Sequence, residues 1–557
     1  MQGPSIVVGL DFGTTFSGVA WALEGSVDEV EVLNKWPGGG NRTSAKVPST
    51  ISYYDGEKVR WGYQIGPLTE ACRGLKLLLD DGQRTAYPPA ITSKSLLEKY
   101  GKDVVQVTAD YLSQLIAEVG QVLQRRLGVP TKSMDLKFML TVPAVWSDKA
   151  KDATLRAAVE AGAAAENVSL VSEPEAAALY TLHAIQPNSI ATNDVIIVCD
   201  AGGGTVDLIS YQIKTLDPLR IEEVTEGTGG ICGSMLLDRI FEDFLRQKMG
   251  TKIYDALSRM SKEVAVTYWQ DRVKPNFSGQ YDDEFADVDY FIPVPGAKDD
   301  PAIPIEDGFF EMSSEDIEKI FKPIVQDVKD LIDAQVEGIG KLRLSPKAII
   351  LVGGFGSSEY LFHQLQTANP NVTVLQPPNG WSAVVSGAVH RGLEGNRVDS
   401  RIARRHYGIS CATEYDPAIH NKGDRYWDHL DEQYRVDGRM VWYIKKSSKI
   451  SENTPVRMAY FCKMQGNSPD DFIIRGRLYF CNDEEAPNYK NKRTLRLCEL
   501  EADLRQIPQE LFQKKTNSQG VEYFKFPITL TMTPTSASLL FQLEFNGVSY
   551  GSVRSKY

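Results

Sequence analysis

The chain has 557 residues, of which 42% are hydrophobic and 24% charged, and a formal net charge of −12. Because a single core stops growing at about 250 to 300 residues, this length predicts two or three domains. The negative charge argues against a nucleic-acid-binding surface, and no apolar run approaches the roughly 20 residues that a membrane span needs. The N-terminus reaches Asp11 too early for a secretory leader, and the sparse cysteines suit a reducing compartment. We therefore expect a cytoplasmic location, with the nucleus as an alternative.

Strand and helix signals alternate in the first 390 residues, which is typical of an α/β fold. Short apolar runs predict strands at 5–11, 17–24, 136–142, 195–200, 206–213 and 347–352. Apolar residues at three- and four-residue spacing predict helices over 111–123, 236–245 and 313–331, and Pro323 predicts a kink in the third. A stretch rich in Pro, Gly and Asp at about 276–312 predicts a small β insertion.

The pattern changes after residue 390. Residues 391–406 contain five arginines and no strong apolar stripe, which predicts a linker. From residue 407 to 557, short strand signals separated by Pro, Gly, Asn and Asp predict a β-sandwich. The six histidines of the chain show no metal-ligand spacing, and we expect structural or surface roles for them.

Two turns of similar composition follow apolar runs. Asp11 opens the turn DFGTT, and Asp200 opens the turn DAGGGT further along. Backbone N–H groups on glycine-rich turns approach phosphate oxygens closely because no Cβ intervenes, and threonine hydroxyls add donors. The two aspartates are candidates to hold Mg²⁺ through water, since this ion keeps much of its hydration shell. Two turns of this kind that face each other would bind a polyphosphate from both sides. The sequence contains no Walker A loop, so a phosphate site of that type is not expected.

A third glycine turn follows the apolar run AIILV, where Gly353 and Gly354 precede Ser357 and Ser358. A serine at this place is able to cap a helix, and such a helix start suits a bound nucleoside. Three ordinary β-turns are the alternative interpretation of these segments. The matched composition of the first two turns, each after an apolar run, favours the nucleotide site.

Five segments resemble, in order and spacing, the signatures of DnaK-type chaperones, the heat shock protein 70 family: VGLDFGTTFSGVAW, LTVPAVWSDKAKDATLRAAVEAG, LVSEPEAAALY, VCDAGGGTVDL and ILVGGFGSSEYL. This family belongs to the actin-like ATPase superfamily, and the resemblance covers about residues 5–390. It implies an α/β fold with a two-lobed actin-like (ribonuclease-H-like) ATPase domain at 1–390, a linker at 391–406, and a β-sandwich similar to a substrate-binding domain at 407–557. Within the first domain it implies lobes at about 1–190 and 191–370 and a closing helix that ends at 390. The implied cofactors are ATP or ADP and Mg²⁺.

The resemblance also implies roles for individual residues. The implied catalytic residues are Lys76, Glu173, Asp200, Thr205 and Asp207, and the implied metal-binding residues are Asp11 and Asp200. The implied nucleotide-binding residues are Asp11, Gly13, Thr14, Thr15, Phe16, Gly202, Gly203, Gly204, Thr205, Gly229, Gly230, Asp271, Lys274, Ser278, Gly353, Gly354 and Phe355. For the catalytic lysine, Arg73 and a surface role for Lys76 stay open as alternatives, because the residues around Lys76 differ from those of the family.

The sequence departs from the family at several positions. Phe16 stands where the family usually has tyrosine, and Pro275 replaces the arginine that stacks on adenine, which predicts weaker or less base-selective binding. Pro143 and Glu173 match the family's switch elements, but Lys151 replaces the relay arginine and lacks its bidentate fork. The family's aspartate- and leucine-rich linker is missing, and we expect its helical lid to be absent.

Three functions are open at this point. The first is an ATP-binding, slowly hydrolysing chaperone in which nucleotide-driven lobe closure is coupled to polypeptide binding by a lidless β domain. The second is a nucleotide-switched scaffold or adaptor for one dedicated protein partner, with weak or no hydrolysis. The third is a small-molecule kinase of the same superfamily, which the switch motifs disfavour. The expected partners are a polypeptide client or a dedicated protein, with a co-chaperone or exchange factor as a further candidate; a nucleic-acid partner and a membrane span are not expected.

Overall fold

The structure is a computed structural model that describes residues 5–54, 58–66, 68–80, 87–128, 130–184, 190–279, 289–300, 303–466, 468 and 472–556. The chain forms two units, Met1–Arg397 and Val398–Tyr557. Their boundary falls within the predicted linker, 391–406, whose limits stay a prediction of the sequence. Within the described ranges no helix is long and apolar enough to cross a membrane.

The first part of unit 1 is built on a six-stranded sheet. Its strands and helices are, in chain order, β1 (Ser5–Asp11), β2 (Phe16–Leu23), β3 (Glu31–Val32), β4 (Lys46–Pro48), β5 (Thr50–Tyr54), β6 (Lys58–Trp61), β7 (Cys72–Arg73), α1 (Leu75–Leu78), α2 (Pro88–Tyr100), α3 (Val104–Leu127), β8 (Asp135–Val142), α4 (Asp148–Glu160), β9 (Val168–Ser172) and α5 (Glu173–Ala184). The strand order is β3-β2-β1-β8-β9, and β4 pairs with β2. β1 is buried along almost its whole length, which is why its apolar run continues without alternation.

The second part of unit 1 repeats this plan. Its strands and helices are β10 (Val195–Ala201), β11 (Val206–Leu216), β12 (Leu219–Glu223), β13 (Thr228–Gly230), α6 (Met235–Met249), α7 (Thr251–Ala256), α8 (Arg259–Tyr268), β14 (Tyr290–Pro293), β15 (Ile305–Glu306), β16 (Phe309–Met312), α9 (Ser314–Lys341), β17 (Pro346–Val352), α10 (Glu359–Ala368), β18 (Thr373–Leu375) and α11 (Ala383–Glu394). The main sheet has the order β12-β11-β10-β17-β18, and β13 pairs with β11. In both sheets the first strand is antiparallel to the second and parallel to the strand on its other side.

The strands and helices predicted for unit 1 are present. α9 begins after the Ser313 cap and contains Pro323 without ending there. The predicted β insertion corresponds to a small sheet of order β14-β16-β15, although residues 280–288 and 301–302 of that prediction lie outside the described residues. α11 packs so closely on α5 that a Cβ at Gly387 would overlap the carbonyl oxygen of Ala176. This close approach fixes the ends of both helices relative to β1.

Unit 2 contains only strands and short 3₁₀ turns among its described residues. The strands are β19 (Arg401–Ile402), β20 (His406–Glu414), β21 (Arg425–Asp428), β22 (Gln433–Ile444), β23 (Lys449–Ile450), β24 (Val456–Met464), β25 (Ile473–Cys481), β26 (Leu495–Asp503), β27 (Lys514–Thr516), β28 (Glu522–Pro534), β29 (Leu539–Phe545), β30 (Val548–Ser552) and β31 (Arg554–Lys556). One sheet has the order β21-β22-β20-β25-β26-β31, and the other has the order β24-β28-β29-β30 with β27 on β28.

Both sheets of unit 2 contribute to one hydrophobic core. Leu478 and Leu500 come from the first sheet, and Phe526, Leu530 and Phe541 come from the second. Two sheets that share a core in this way form a sandwich. The predicted fold class, α/β lobes followed by a β-rich C-terminal unit, is confirmed.

A buried ion cluster also joins the two sheets of unit 2. Asp431 lies between β21 and β22, and its carboxylate accepts hydrogen bonds from Lys463 of β24 and Lys525 of β28 at 2.9 to 3.1 Å. Arg435 of β22 donates to the same carboxylate at 2.8 Å. Burial opposes ionisation, but the two lysines outweigh it and hold the pKa of Asp431 well below its usual value.

Asp431→Asn is expected to lower the melting temperature of unit 2 at neutral pH and to weaken its acid sensitivity. Because the folded-state pKa is depressed, the contribution of Asp431 is present above the unfolded pKa of about 4 and is lost as the pH falls further. Calorimetry of the full chain between pH 7 and the acid range measures both effects. Asp437→Asn, at an exposed aspartate of β22, is the control; equal behaviour of the two variants would contradict the role of the cluster.

Candidate functional site

The two main sheets of unit 1 each end in an aspartate at an equivalent place. Asp11 closes β1 and pairs in register with Gly18 of β2, and Asp200, near the end of β10, pairs with Asp207 of β11. Each aspartate therefore stands at the start of a tight hairpin turn. This is the arrangement that the repeated sequence pattern predicts.

The two hairpin turns meet. A Cβ at Gly203 would overlap the hydroxyl of Thr15, and a Cβ at Gly204 would overlap the hydroxyl of Thr14. Only glycine fits at these two positions, so the backbone of the second turn faces the threonines of the first without a side chain between them. The start of α6 supports the second turn, because the N–H groups of residues 233–235 donate to carbonyl oxygens of residues 202–204 at 2.9 to 3.2 Å.

Four carboxylates and two lysines form a buried cluster at the base of these turns. The carboxylates are those of Asp11, Glu173, Asp200 and Asp207, and the ammonium groups are those of Lys46 and Lys76. The Lys76 Nζ atom lies 2.5 Å from Glu173 Oε1, and the Lys46 Nζ atom lies 2.7 Å from Asp11 Oδ2. The Thr141 hydroxyl donates to the other oxygen of Asp11 at 3.0 Å. The alternative of a surface role for Lys76 does not agree with its burial beside Glu173, whereas the choice between Lys76 and Arg73 as the catalytic cation stays a prediction.

The charges of the cluster shift the ionisation of its members. Burial opposes ionisation of Asp11, but Lys46 and Lys76 outweigh it and keep the pKa of Asp11 below its usual value. Burial would also discharge Lys76, yet Glu173 and Asp11 raise its pKa, so it stays an ammonium group. For Asp200, burial and then the neighbouring Asp11 and Asp207 raise the pKa. Burial raises the pKa of Glu173 as well, to about 8, although Lys76 opposes this. Without a cation, protons on Asp200 and Glu173 therefore relieve part of the negative charge of the cluster near neutral pH.

The residues present fit a magnesium ion. With all four carboxyl groups ionised, the cluster has two more negative charges than its lysines neutralise, which is the charge of one divalent cation. Both oxygens of Asp11 already have partners in Lys46 and Thr141. Asp200 is therefore the residue of this cluster best placed to hold the ion, with Asp11 and its lysine beside it.

Lys46→Met is expected to make the thermal stability of the chain depend more strongly on Mg²⁺. Without this ammonium group the cluster has a larger excess of negative charge, so a divalent cation is held more tightly. Melting temperatures measured with MgCl₂ and with a chelator give the magnesium-induced rise. Lys102→Met removes a lysine from a partly exposed pair with Asp110 and should leave that rise as in the wild type. A rise no larger in Lys46→Met than in the wild type would place Lys46 outside the cation site.

The third glycine turn borders the cluster. Gly353 has a φ of +88°, and a Cβ there would lie 2.5 Å from Asp200 Oδ1. Gly354 faces the indole of Trp381, which is 39% exposed. The Phe16 ring packs edge-on against this indole, with 5.9 Å between the ring centroids. An aromatic surface thus stands between the first and third turns, where the sequence predicted a nucleoside.

The other residues predicted to bind the nucleotide lie outside the buried carboxylate cluster. Gly229 and Gly230 lie on β13, which pairs with β11 beside Asp207. Lys274 donates to Asp238 Oδ1 at 2.7 Å, in the first turn of α6, while Asp271 is exposed and Ser278 is partly buried. Phe355 is buried in the hydrophobic core of the second lobe, 6.4 Å from the ring of Phe321. The roles assigned to these residues stay predictions.

Two residues of the site escaped the sequence reasoning. Lys46 stands in the polar stretch NRTSAK, where nothing marks it as buried, and only the pairing of β4 with β2 brings it to Asp11. Trp381 follows a Pro-rich loop that carries no motif. Of the switch residues, Lys151 donates to the carbonyl oxygen of Ala144, next to Pro143, at 3.4 Å.

Comparison with known proteins agrees with the motifs. The family model described as Hsp70 protein matches residues 90–355. Heat shock 70 kDa protein 12A of Mus musculus is 25% identical over 503 residues, which covers 74% of this chain and 73% of the relative. Heat shock 70 kDa protein 12B of Homo sapiens is 24% identical over 75% of this chain and 72% of the relative. Chaperone protein DnaK of Mycoplasmopsis agalactiae is 29% identical over 37% of this chain and 30% of the relative.

The ordered motifs, the repeated sheets and the family match lead to one assignment. The matched range begins in α2 and runs through the Asp200 turn to the third glycine turn. Relatives of the 12A and 12B type match over most of the chain at low identity. Residues 90–355 match the heat shock protein 70 family, and together with these relatives they support a divergent member of that family with its ATPase domain.

Proposed function

We propose that the chain binds ATP with Mg²⁺ between its two lobes, hydrolyses it slowly, and couples its nucleotide state to the binding of a polypeptide by unit 2. One observation carries the nucleotide part of this proposal. The threonine turn and the glycine turn meet beside a buried cluster of four carboxyl groups and two lysines, in which Glu173 holds Lys76. Such a place binds phosphate oxygens through backbone N–H groups and a divalent cation through carboxylates.

Each group of the cluster has a role in this proposal. The backbone of the two turns and the hydroxyls of Thr14, Thr15 and Thr205 bind the phosphate oxygens. The Lys76 ammonium group, positioned by Glu173, stabilises the charge that develops on the transferring phosphoryl group. Asp207 and Glu173 orient the attacking water. Bound Mg²⁺ would neutralise the phosphate charge, and Asp200 is the residue that would hold it.

Phosphate release from Mg-ATP by the purified chain, with neither acceptor nor peptide present, tests the hydrolytic part. Slow release with water as the only acceptor is the expected result. Tight ATP binding without release would contradict hydrolysis and favour a switch. Release that appears only when a sugar or a similar acceptor is added would favour a small-molecule kinase.

The polypeptide part of the proposal has its support in unit 2. β24 (Val456–Met464) is an edge strand of its sheet, and the Phe461 side chain on it is 70% exposed. An edge strand accepts an extended chain through main-chain hydrogen bonds, and exposed apolar side chains add contact area. Fluorescence anisotropy of a labelled apolar peptide, measured in ATP and in ADP, is expected to show rapid exchange and different affinities. Equal affinities in the two nucleotides would contradict the coupling.

A nucleotide-switched scaffold for one dedicated protein is the second candidate. It is favoured by Lys151, an ammonium side chain without the bidentate fork of the family's arginine, and by the altered segment 391–406. A scaffold should ignore generic apolar peptides, so competition between such peptides and a captured partner separates the two functions. In either case the partner is a polypeptide, and a co-chaperone or exchange factor acting on unit 1 is a further expectation.

A further inference from the structure

Two histidines and a glutamate meet on unit 1 at a distance from the nucleotide site. His183 is in the last turn of α5, and His390 and Glu394 are one helical turn apart on α11. One potential ligand atom from each of the three side chains lies within 4.8 Å of the other two. Glu173 begins α5, so His183 stands about 15 Å further along that helix from the catalytic cluster.

The surroundings of His390 leave part of its imidazole without a partner. The side chain is 8% exposed, and its Nδ1 atom is buried without a hydrogen bond. The ring stacks on that of His183 with 4.7 Å between centroids and an angle of 11° between planes. His183 in turn lies 3.1 Å from a carboxylate oxygen of Glu394 through its Nε2 atom. A buried, unpartnered ring nitrogen beside a second histidine and a carboxylate has the composition of a metal site rather than of a core.

Water reaches this cluster from one side. A cavity of about 220 Å³ adjoins it, lined by His183 and Glu394 and by the turn that joins β11 to β12. Catalytic and exchangeable zinc sites have three protein ligands and one open position, which a water molecule occupies. The cavity supplies that position here, while His390 closes the site from the side of the core.

We propose that His183, His390 and Glu394 bind a divalent transition-metal ion of the zinc class, with water from the cavity as the fourth ligand. Two imidazoles and one carboxylate match Zn²⁺ and Co²⁺, whereas Mg²⁺ and Ca²⁺ prefer oxygen ligands throughout. With bonds of about 2.1 Å, the ligand atoms of a tetrahedral site are about 3.4 Å apart, so the pairs, which lie within 4.8 Å, close by up to about 1.4 Å on binding. Because the stacked imidazoles are nearly parallel, their lone pairs do not converge, and binding requires the exposed His183 ring to turn. The Arg397 guanidinium donates to Glu394 Oε2 at 3.2 Å and has to share that carboxylate with the ion.

The bound ion would tie α5 to α11 at the ends that lie far from the nucleotide. The close packing of the two helices at Gly387 and Ala176 keeps the ligands near one another before the ion arrives. No sequence pattern indicates this site, because its ligands come from two helices far apart along the chain.

Titration of the chelator-treated full chain with Zn²⁺ tests the proposal, and Co²⁺ reports the ligand geometry through its visible absorption. We expect one tightly bound equivalent, a low-coordinate cobalt spectrum, and a higher melting temperature with the ion. His183→Ala is expected to weaken binding at least about 100-fold, and because His183 is partly exposed this variant should fold. His390→Asn keeps a polar side chain of smaller size in the buried position and should lose the cobalt spectrum as well.

His363→Ala is the matched control. His363 also lies one helical turn from a glutamate, Glu359 on α10, but this pair is not part of a cluster of three potential ligands in the described residues. Its removal should leave zinc affinity and the cobalt spectrum unchanged. Zinc affinity in His183→Ala equal to that of the wild type, or no bound equivalent in the wild type, would overturn the proposal and leave His183 and Glu394 as an ordinary hydrogen-bonded pair.

Discussion

Lys76→Met is expected to slow phosphate release from Mg-ATP by a factor of at least about 100, with a much smaller effect on nucleotide affinity. The ammonium group of Lys76 is buried, lies 2.5 Å from Glu173, and keeps its positive charge because Glu173 and Asp11 raise its pKa. A fixed charge in such a buried site stabilises the transition state of phosphoryl transfer more than the ground state. Loss of the charge is therefore expected to lower the rate of the chemical step. Single-turnover measurements, with ATP binding followed separately, resolve the two effects.

The same substitution leaves Glu173 buried without its cation, which also costs stability. The double variant Lys76→Met with Glu173→Gln removes both charges and should recover stability without recovering hydrolysis. Lys99→Met, in an exposed pair with Glu70, is the control and should change neither property. Unchanged turnover in Lys76→Met would return the catalytic role to Arg73 or to another residue.

Asp200→Asn is expected to remove most of the dependence of ATP affinity on Mg²⁺. Burial and then the neighbouring Asp11 and Asp207 raise the pKa of Asp200, so a cation beside it relieves an unfavourable charge. Burial raises the pKa of Glu173 as well, but Glu173 is already paired with Lys76. The amide keeps the size of the side chain beside Gly353, where a Cβ would lie 2.5 Å from Asp200 Oδ1, so the turn should stay intact. Titration of ATP with and without a chelator should give nearly equal affinities for this variant and very different ones for the wild type.

Asp333→Asn, at an exposed position of α9, provides the control for loss of one negative charge. It should keep the full magnesium effect. If Asp200→Asn also keeps it, the ion is held elsewhere, and Asp11 becomes the candidate despite its contacts with Lys46 and Thr141.

The sequence alone predicts the features that depend on residues close together along the chain. The apolar runs before Asp11 and Asp200 mark fully buried strands, and the small residues after them mark turns, so both loops were readable without a structure. The capped helices were readable for the same reason. That the Asp11 and Asp200 turns form one site was inferred with the help of the family resemblance, because no local pattern indicates that the two turns face each other.

The features that were missed depend on packing between distant segments. Lys46 reaches Asp11 because β4 pairs with β2 in one register, and a shift by one residue would point it away. Trp381 meets Phe16 from a short 3₁₀ turn, Gly380–Ser382, that no sequence pattern indicates. His183 and His390 looked like isolated histidines, and their rings stack only because α5 packs on α11. The side chain of Phe355 lies in the hydrophobic core, which its place in a glycine-rich motif did not indicate, and its role in nucleotide binding stays a prediction.

The contact of Thr14 and Thr15 with Gly203 and Gly204 has a consequence for the rate at which nucleotide enters. A triphosphate has to part the two turns before it can lie between them, so entry requires an opening step that does not depend on nucleotide concentration. At high concentration the observed association rate should therefore level off instead of rising in proportion. The nucleotide would dissociate through the same opening between the two turns, so its residence time would depend on how often the lobes separate.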